Sequence, residues 1–152
     1  MNADVVIIGA GPAGIFTALE MIKKGSRQKI IMVEKGQAVE NRHCPKDKTK
    51  KCVNCKPYCH ITTGFSGAGA FSDGKLTTGT KSPLIRTVLQ TFVDHGAPED
   101  ILYIAKPHVG TDLLKGVVRS MRQEIIQLGG QVRFDTRLTG LMMRGESMEG
   151  IT

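Results

Sequence analysis

The chain opens with four consecutive apolar positions, Val5, Val6, Ile7 and Ile8. An uninterrupted β-branched run of this kind predicts a parallel strand buried on both faces. Beyond a cluster of glycines the period changes. Ile15, Ala18, Leu19 and Ile22 recur at three- and four-residue steps, with Lys23 and Lys24 near the end and Gly25 as the stop, so a helix follows the strand. Residues 29–34 (KIIMVE) predict a second strand. Further along, Ser82 as N-cap and Pro83 at the first helical position start a helix with Leu84, Ile85, Val88, Leu89 and Phe92 on one face, ending near Gly96. Residues 101–105 (ILYIA) read as a strand, and Thr111 caps a longer helix that turns Leu114, Val117, Val118, Met121, Ile125 and Leu128 inward before Gly129 and Gly130. Residues 131–134 and 138–144 are strand-like, and residues 145–150 read as a hairpin turn into a strand that begins at Ile151. A strand with no partner is unstable, so the sequence reads as an incomplete domain.

The glycines between the first strand and helix occupy a G-x-G-x-x-G spacing: Gly9, Gly11 and Gly14, with Pro12 and Ala13 between the last two. In a strand-to-helix turn the first glycine permits the bend, the second admits a pyrophosphate against the backbone, and the third lets helix and strand pack closely. Unpaired N–H groups at the helix start meet the anion. Glu34, ending the second strand, is placed to accept hydrogen bonds from ribose hydroxyls, and Lys35 follows it. Together these predict an α/β, Rossmann-like FAD/NAD(P)-binding domain with a parallel central sheet.

Composition leaves that picture intact. Hydrophobic residues make up 40% and charged residues 23% of 152, which excludes a disordered chain. No apolar run reaches the length of a bilayer span and none has the form of a secretory signal. A soluble, cytoplasmic protein without a membrane partner is expected. The net charge of +7 is concentrated where Lys46, Lys48, Lys50, Lys51 and Lys56 crowd around the cysteines. A pyrophosphate-bearing cofactor accounts for only part of it.

Residues 37–63 lack apolar periodicity and read as an insertion rich in lysine and cysteine. Cys44, Cys52, Cys55 and Cys59 bring four soft ligands into one short loop, enough for tetrahedral zinc or an iron–sulfur cluster. The spacing matches neither the paired zinc knuckles nor the common ferredoxin runs, and free thiols are the alternative. His43 and His60 read as surface residues, and His95 and His108 as ordinary loop positions. Residues 64–80 form a glycine-rich stretch that begins GFSGAGAFSDGKL. It reads either as a mobile loop turning at Asp73-Gly74 or as a second backbone cradle. In the cradle, the N–H groups of Gly67, Ala68, Gly69 and Ala70 and the hydroxyls of Ser66 and Ser72 approach a cofactor, and Lys75 sets a positive charge near a ring that becomes anionic on reduction.

VVIIGAGPAGIFTALEM with VEKG, the cysteine loop, GFSGAGAFSDGKL and HVGTDLLKGVVRSMRQEIIQLGGQVRF together resemble the FAD-dependent dehydrogenases of the NAD(FAD)-utilising group, relatives of the glutathione-reductase-like flavoproteins. The likeness runs over essentially the whole chain. It implies that residues 1–152 are the N-terminal part of an FAD-binding domain, that Gly9, Gly11 and Gly14 hold the FAD pyrophosphate, and that Glu34 binds the adenosine ribose. It further implies backbone contacts to adenine near Arg137 and Leu138, and that residues 66–75, Asp73 and Gly74 included, lie against the phosphates and flavin. The same resemblance implies NAD(P)H as electron donor and a further part of the same chain that carries the substrate site.

Two other readings use the same residues. The glycine turn could hold NAD or NADP directly; Glu34 disfavours a ribose phosphate there, and Lys35 weakens that argument. Alternatively the lysine–cysteine loop, shaped by a metal, could contact nucleic acid, although Tyr58 is its sole aromatic residue for stacking.

Overall fold

The computed structural model describes residues 2–152. Three parallel strands, β1 (Val5–Ile8), β2 (Ile30–Val33) and β3 (Gln131–Arg133), form a sheet in the order β1-β2-β3. Val5 stands opposite Ile30 and Ile8 opposite Val33, while Ile31 to Val33 pair with Gln131 to Arg133. The central strand is buried at all four positions, as its continuous apolar run requires. β1 differs from the expectation of burial on both faces: it is an edge strand, and Ile8 is 54% exposed.

Helix α1 (Pro12–Lys23) returns the chain from β1 toward β2 and buries Ile15, Ala18 and Leu19. After β2 come a short 3-10 helix (Val39–Asn41), the four-residue helix α2 (Lys46–Thr49) and turns. Helix α3 (Leu84–Asp94) follows the glycine-rich stretch. Its N-cap is Pro83 rather than Ser82, although Ser82 Oγ still accepts from Leu84 N at 3.2 Å. Leu84 points outward, while Leu89, Phe92 and Val93 pack on the core. Helix α4 (Thr111–Gln127) buries Leu114, Val117, Val118, Met121 and Ile125 as its periodicity predicts. Gly110 takes the cap position expected of Thr111, and Leu128, just past the helix end, is exposed.

The expected strand at 101–105 is instead a 3-10 turn (Glu99–Leu102). Its backbone bonds close locally, Tyr103 N and Ile104 N both reaching Asp100 O, and only Ile101 is wholly buried while Tyr103 is exposed. One anchored residue after Pro98 makes a turn, not a ladder. At the C-terminal end β4 (Leu141–Arg144) and β5 (Ser147–Ile151) form an antiparallel hairpin. Its two-residue loop starts with Gly145 at φ 60°, so the return strand begins at Ser147, earlier than the sequence suggests. A cleft of about 650 Å³ separates the hairpin from the sheet face that carries Val6, Ile31 and Val33. No helix among the described residues is long and apolar enough to cross a membrane.

Candidate functional site

The glycine turn has the geometry its spacing predicts. Gly9 has φ +94° and donates its N–H to Val33 O at 2.8 Å, so the bend leaves β1 while still paired to β2. A Cβ at Gly14 would overlap the Gly9 carbonyl and crowd the Ile7 side chain, which fixes the close approach of α1 to β1. At Gly11 a Cβ would meet nothing within 4 Å. The second glycine therefore faces open space, and Gly11 is the N-cap of α1 with Pro12 at the first helical position and no side chain capping that end. The N–H groups of Ala13 and Gly14 are thereby aimed out of the helix start, where the dipole favours an anion.

The glycine-rich loop closes over this turn. Ser66 N donates to Ala10 O at 2.7 Å, and a Cβ at Gly67 would stand 3.6 Å from Pro12 Cδ and 3.7 Å from Gly11 Cα. Ser66 has φ 72°, a left-handed conformation unusual for a residue with a side chain. Its Oγ is buried with no hydrogen-bond partner. Pro12, Ile15, Phe16, Leu114, Val118 and Met121 help line a largely apolar cavity of about 190 Å³, together with Ser66, Gly69, Ala70 and Lys75. Ala68, Gly69 and Ala70 lie at and in a 3-10 turn (Gly69–Phe71), whose Gly69 carbonyl accepts from Ser72 Oγ at 3.0 Å.

Several expected residues are engaged with the protein itself. Glu34 is buried, its Oε2 accepting from Ala10 N at 2.9 Å and its Oε1 from Gly36 N at 2.8 Å. It thus clamps the glycine turn to the end of β2, and each carboxylate oxygen keeps a lone pair for another donor. Lys35 lies over the Tyr58 ring at 5.0 Å. Lys75 pairs with Asp73 at 2.7 Å on the surface; hydrogen bonding between them lowers the Asp73 carboxyl and raises the Lys75 ammonium. Gly74 at φ +76° packs against the Val109 carbonyl and accepts Val109 N at 2.9 Å. Leu138 is not brought to the cradle: with Arg137 it lines the cleft on the other sheet face. The segment just before it does reach Glu34, through Thr136 N to Glu34 O at 3.0 Å.

The metal expectation for Cys44, Cys52, Cys55 and Cys59 finds no support. All four are free thiols, and no group of three or more His, Cys, Asp or Glu side chains among the described residues could hold a metal ion. The loop is shaped by another cation. Arg42, 4% exposed, donates from Nε to His60 O at 2.8 Å, from Nη2 to Ile61 O at 2.7 Å, and from Nη1 to Phe65 O and Gly67 O at 2.6 and 2.8 Å. Burial pushes its guanidinium pKa down, partly offset by Glu34. The sequence gives no sign of this role, because an arginine in a lysine-rich loop has the pattern of a solvated residue and its acceptors follow it by many positions. His95 is also more than a loop residue: Nδ1 meets Thr91 O at 2.6 Å and Nε2 meets Glu124 Oε2 at 2.8 Å, tying α3 to α4. His108 forms a backbone bridge with Lys75.

Residues 3–136 match the pyridine nucleotide-disulphide oxidoreductase family. The chain belongs to this family. The three-stranded parallel sheet and glycine turn described above lie within the matched residues. A Clostridium beijerinckii protein described as uncharacterized is 42% identical over 151 residues, covering 99% of this chain and 28% of its own length. The chain thus spans about 28% of that curated relative. Among solved structures, Thermovibrio ammonificans THI4 is similar with TM-score 0.52 and 16% identity, over 96% of this chain and 44% of that one. Mycobacterium smegmatis Sdh1 in complex with UQ1 is similar with TM-score 0.54 and 16% identity, over 98% of this chain and 30% of that one. At such identity the two structures speak to the fold alone.

Proposed function

We propose that the cradle between the glycine turn and the glycine-rich loop holds FAD for a dehydrogenase of the NAD(FAD)-utilising group, with NAD(P)H as electron donor. The observation that carries this is the uncapped start of α1 with the open side of Gly11, to which the loop is held by Ser66 N on Ala10 O; the Ser66 Oγ is buried without a partner. An orphaned hydroxyl in a strained backbone position costs stability unless a ligand completes it. The residues fit the group. Main-chain N–H groups of Ala13 and Gly14 would hold the pyrophosphate, the remaining lone pairs of Glu34 a ribose hydroxyl, and Ser66 Oγ a polar atom of the cofactor. Pro12, Ala68, Gly69 and Ala70 would supply the close backbone wall, with Ser72 at its edge.

FAD, when bound, supplies two-electron chemistry as a hydride equivalent. The chain's own part is to bind and orient. The apolar cavity lined by Phe16, Leu114 and Met121 excludes water, and Lys75, which also lines it, would have to leave Asp73 to set a positive charge against the cofactor. Substrate recognition falls to sequence outside these residues, and the whole protein works in the cytoplasm.

The test is the visible spectrum of protein purified without added cofactor, followed by FAD titration. A flavin band is expected, and Gly11→Val should weaken FAD binding by about 100-fold by blocking the anion's approach. Unchanged FAD affinity in a folded Gly11→Val protein would refute the assignment; preference for NADH over FAD would move the turn to the nicotinamide reading.

A further inference from the structure

Residues 43–63 have no core of their own: none of them is buried, their one helix has four residues, and the four cysteines line a cavity of about 250 Å³. Arg42 holds the exit of this segment through the His60 and Ile61 carbonyls. The same side chain reaches into the loop over the glycine turn. It donates to the Phe65 and Gly67 carbonyls, and its Cζ lies 4.3 Å from the centre of the Phe71 ring. Gly64 makes room for it, since a Cβ there would overlap Arg42 Cδ. An arginine this close to an anion site would ordinarily be a clamp on the anion itself. Arg42 is not free to act so. A guanidinium has five N–H donors; four of them are spent here on peptide oxygens, and the residue is buried. Its influence on the cradle passes instead through Gly67, where a Cβ would stand 3.7 Å from Gly11 Cα, and through Ser66, whose N–H is on Ala10 O.

We propose that Arg42 is a positioning residue that sets how long FAD stays bound without touching it, an inference that rests on the cradle holding FAD. One planar fork ties carbonyls on both sides of Gly64, so Ser66 and Gly67 are kept against the turn before the cofactor arrives. Without the fork, the entropy of ordering the loop is charged to each binding event. Charge alone does not suffice, because a lysine ammonium has three donors on a flexible stem and cannot meet four carbonyls at once. Entry of the anion uses the open side of Gly11 and the start of α1, which Arg42 does not touch. The effect of Arg42 therefore falls on release.

The test is the rate at which the full-length, FAD-loaded protein releases FAD on dilution, read from the change in flavin fluorescence. Arg42→Lys should release FAD about 10-fold faster, with association changed by less than about twofold. A loss of folded protein lowers the amplitude of release and leaves its rate, so the rate separates positioning from stability. Gly67→Ala keeps Arg42 and strains the left-handed backbone at φ +65°; it should speed release about threefold and serves as the second readout where Arg42→Lys does not fold. Arg42→Lys combined with Ser66→Ala should speed release by less than the product of the single effects, since both act through one loop. A parental release rate in folded Arg42→Lys or in Gly67→Ala, or single effects that multiply in the double variant, overturns the positioning role. So does a slowed association in Arg42→Lys whose deficit disappears at high salt, which would make Arg42 a clamp on the anion. A parent protein that takes up no FAD refutes the reading of the cradle, and this role with it.

Discussion

The turn at residues 9–14 and the loop at residues 64–75 are two walls of one cradle, yet they keep their shapes by different means. Three contacts that shape the turn lie within a single βαβ unit: Gly9 N on Val33 O, Gly14 against the Gly9 carbonyl, and Glu34 on Ala10 N, while Ser66 N on Ala10 O joins the turn to the loop. The loop has only a short 3-10 turn of its own and is pinned from outside, by Arg42 on the Phe65 and Gly67 carbonyls and by Phe65 N on Gln37 O. Rigidity in the first wall is a property of the motif. In the second it is borrowed from a distant side chain.

The sharpest way to break this contrast is Gly14→Val. A side chain driven into the Gly9 carbonyl should cost about 3 kcal/mol or more and lower the midpoint of thermal unfolding by roughly 10 °C, in contrast to Gly11→Val, which enters open space. Next comes Arg42→Met. Leaving buried carbonyls of Phe65 and Gly67 without a donor should cost about 3 kcal/mol, and hydrogen exchange should show the opening confined to residues 60–71 while β1 and α1 stay protected. A change of equal size in both walls would mean that they form one cooperative unit.

Ser66→Ala separates stability from binding. It removes an unsatisfied buried hydroxyl, so the cofactor-free protein should gain up to about 1 kcal/mol while FAD affinity falls about fivefold. A loss of stability without any change in affinity would assign Ser66 to the fold alone. The smallest effect concerns Arg122, which bonds Glu40 at 2.8 and 3.1 Å and sits 5.8 Å over the Phe65 ring. That hydrogen bond holds the Glu40 carboxyl below its ordinary 4.5. Since the folded value is the lower one, the contribution is complete above the unfolded value and is lost as pH falls through the folded one. Glu40 is 36% exposed on its side chain, so Glu40→Gln should cost well under about 1 kcal/mol, and the deficit against the parent should vanish in acid denaturation series.

How much could be read from sequence follows the same division. β1, α1, β2 and α4 were visible because period and caps are local signals, and Gly14 could be assigned its packing role from spacing alone. The strand expected at 101–105 failed because ILYIA carries the composition of a strand but finds no neighbour in the sheet; Ile101 alone is anchored. Glu34 was placed correctly at the end of β2, but its backbone partners at Ala10 and Gly36 depend on how the turn folds back. Arg42 was invisible, since nothing in the sequence around it foretells four carbonyl acceptors. The cysteines show the converse: a dense local pattern suggested a metal, while the fold spreads the thiols around a cavity.

The partners of Arg42 have one more implication. All of them are peptide oxygens, which do not titrate, and a guanidinium stays charged throughout the range in which proteins operate. The fastening between the cysteine-bearing segment and the loop above the glycine turn is therefore blind to acidity, and this part of the protein should keep its form across compartments and growth conditions that would loosen a clasp built from carboxylates.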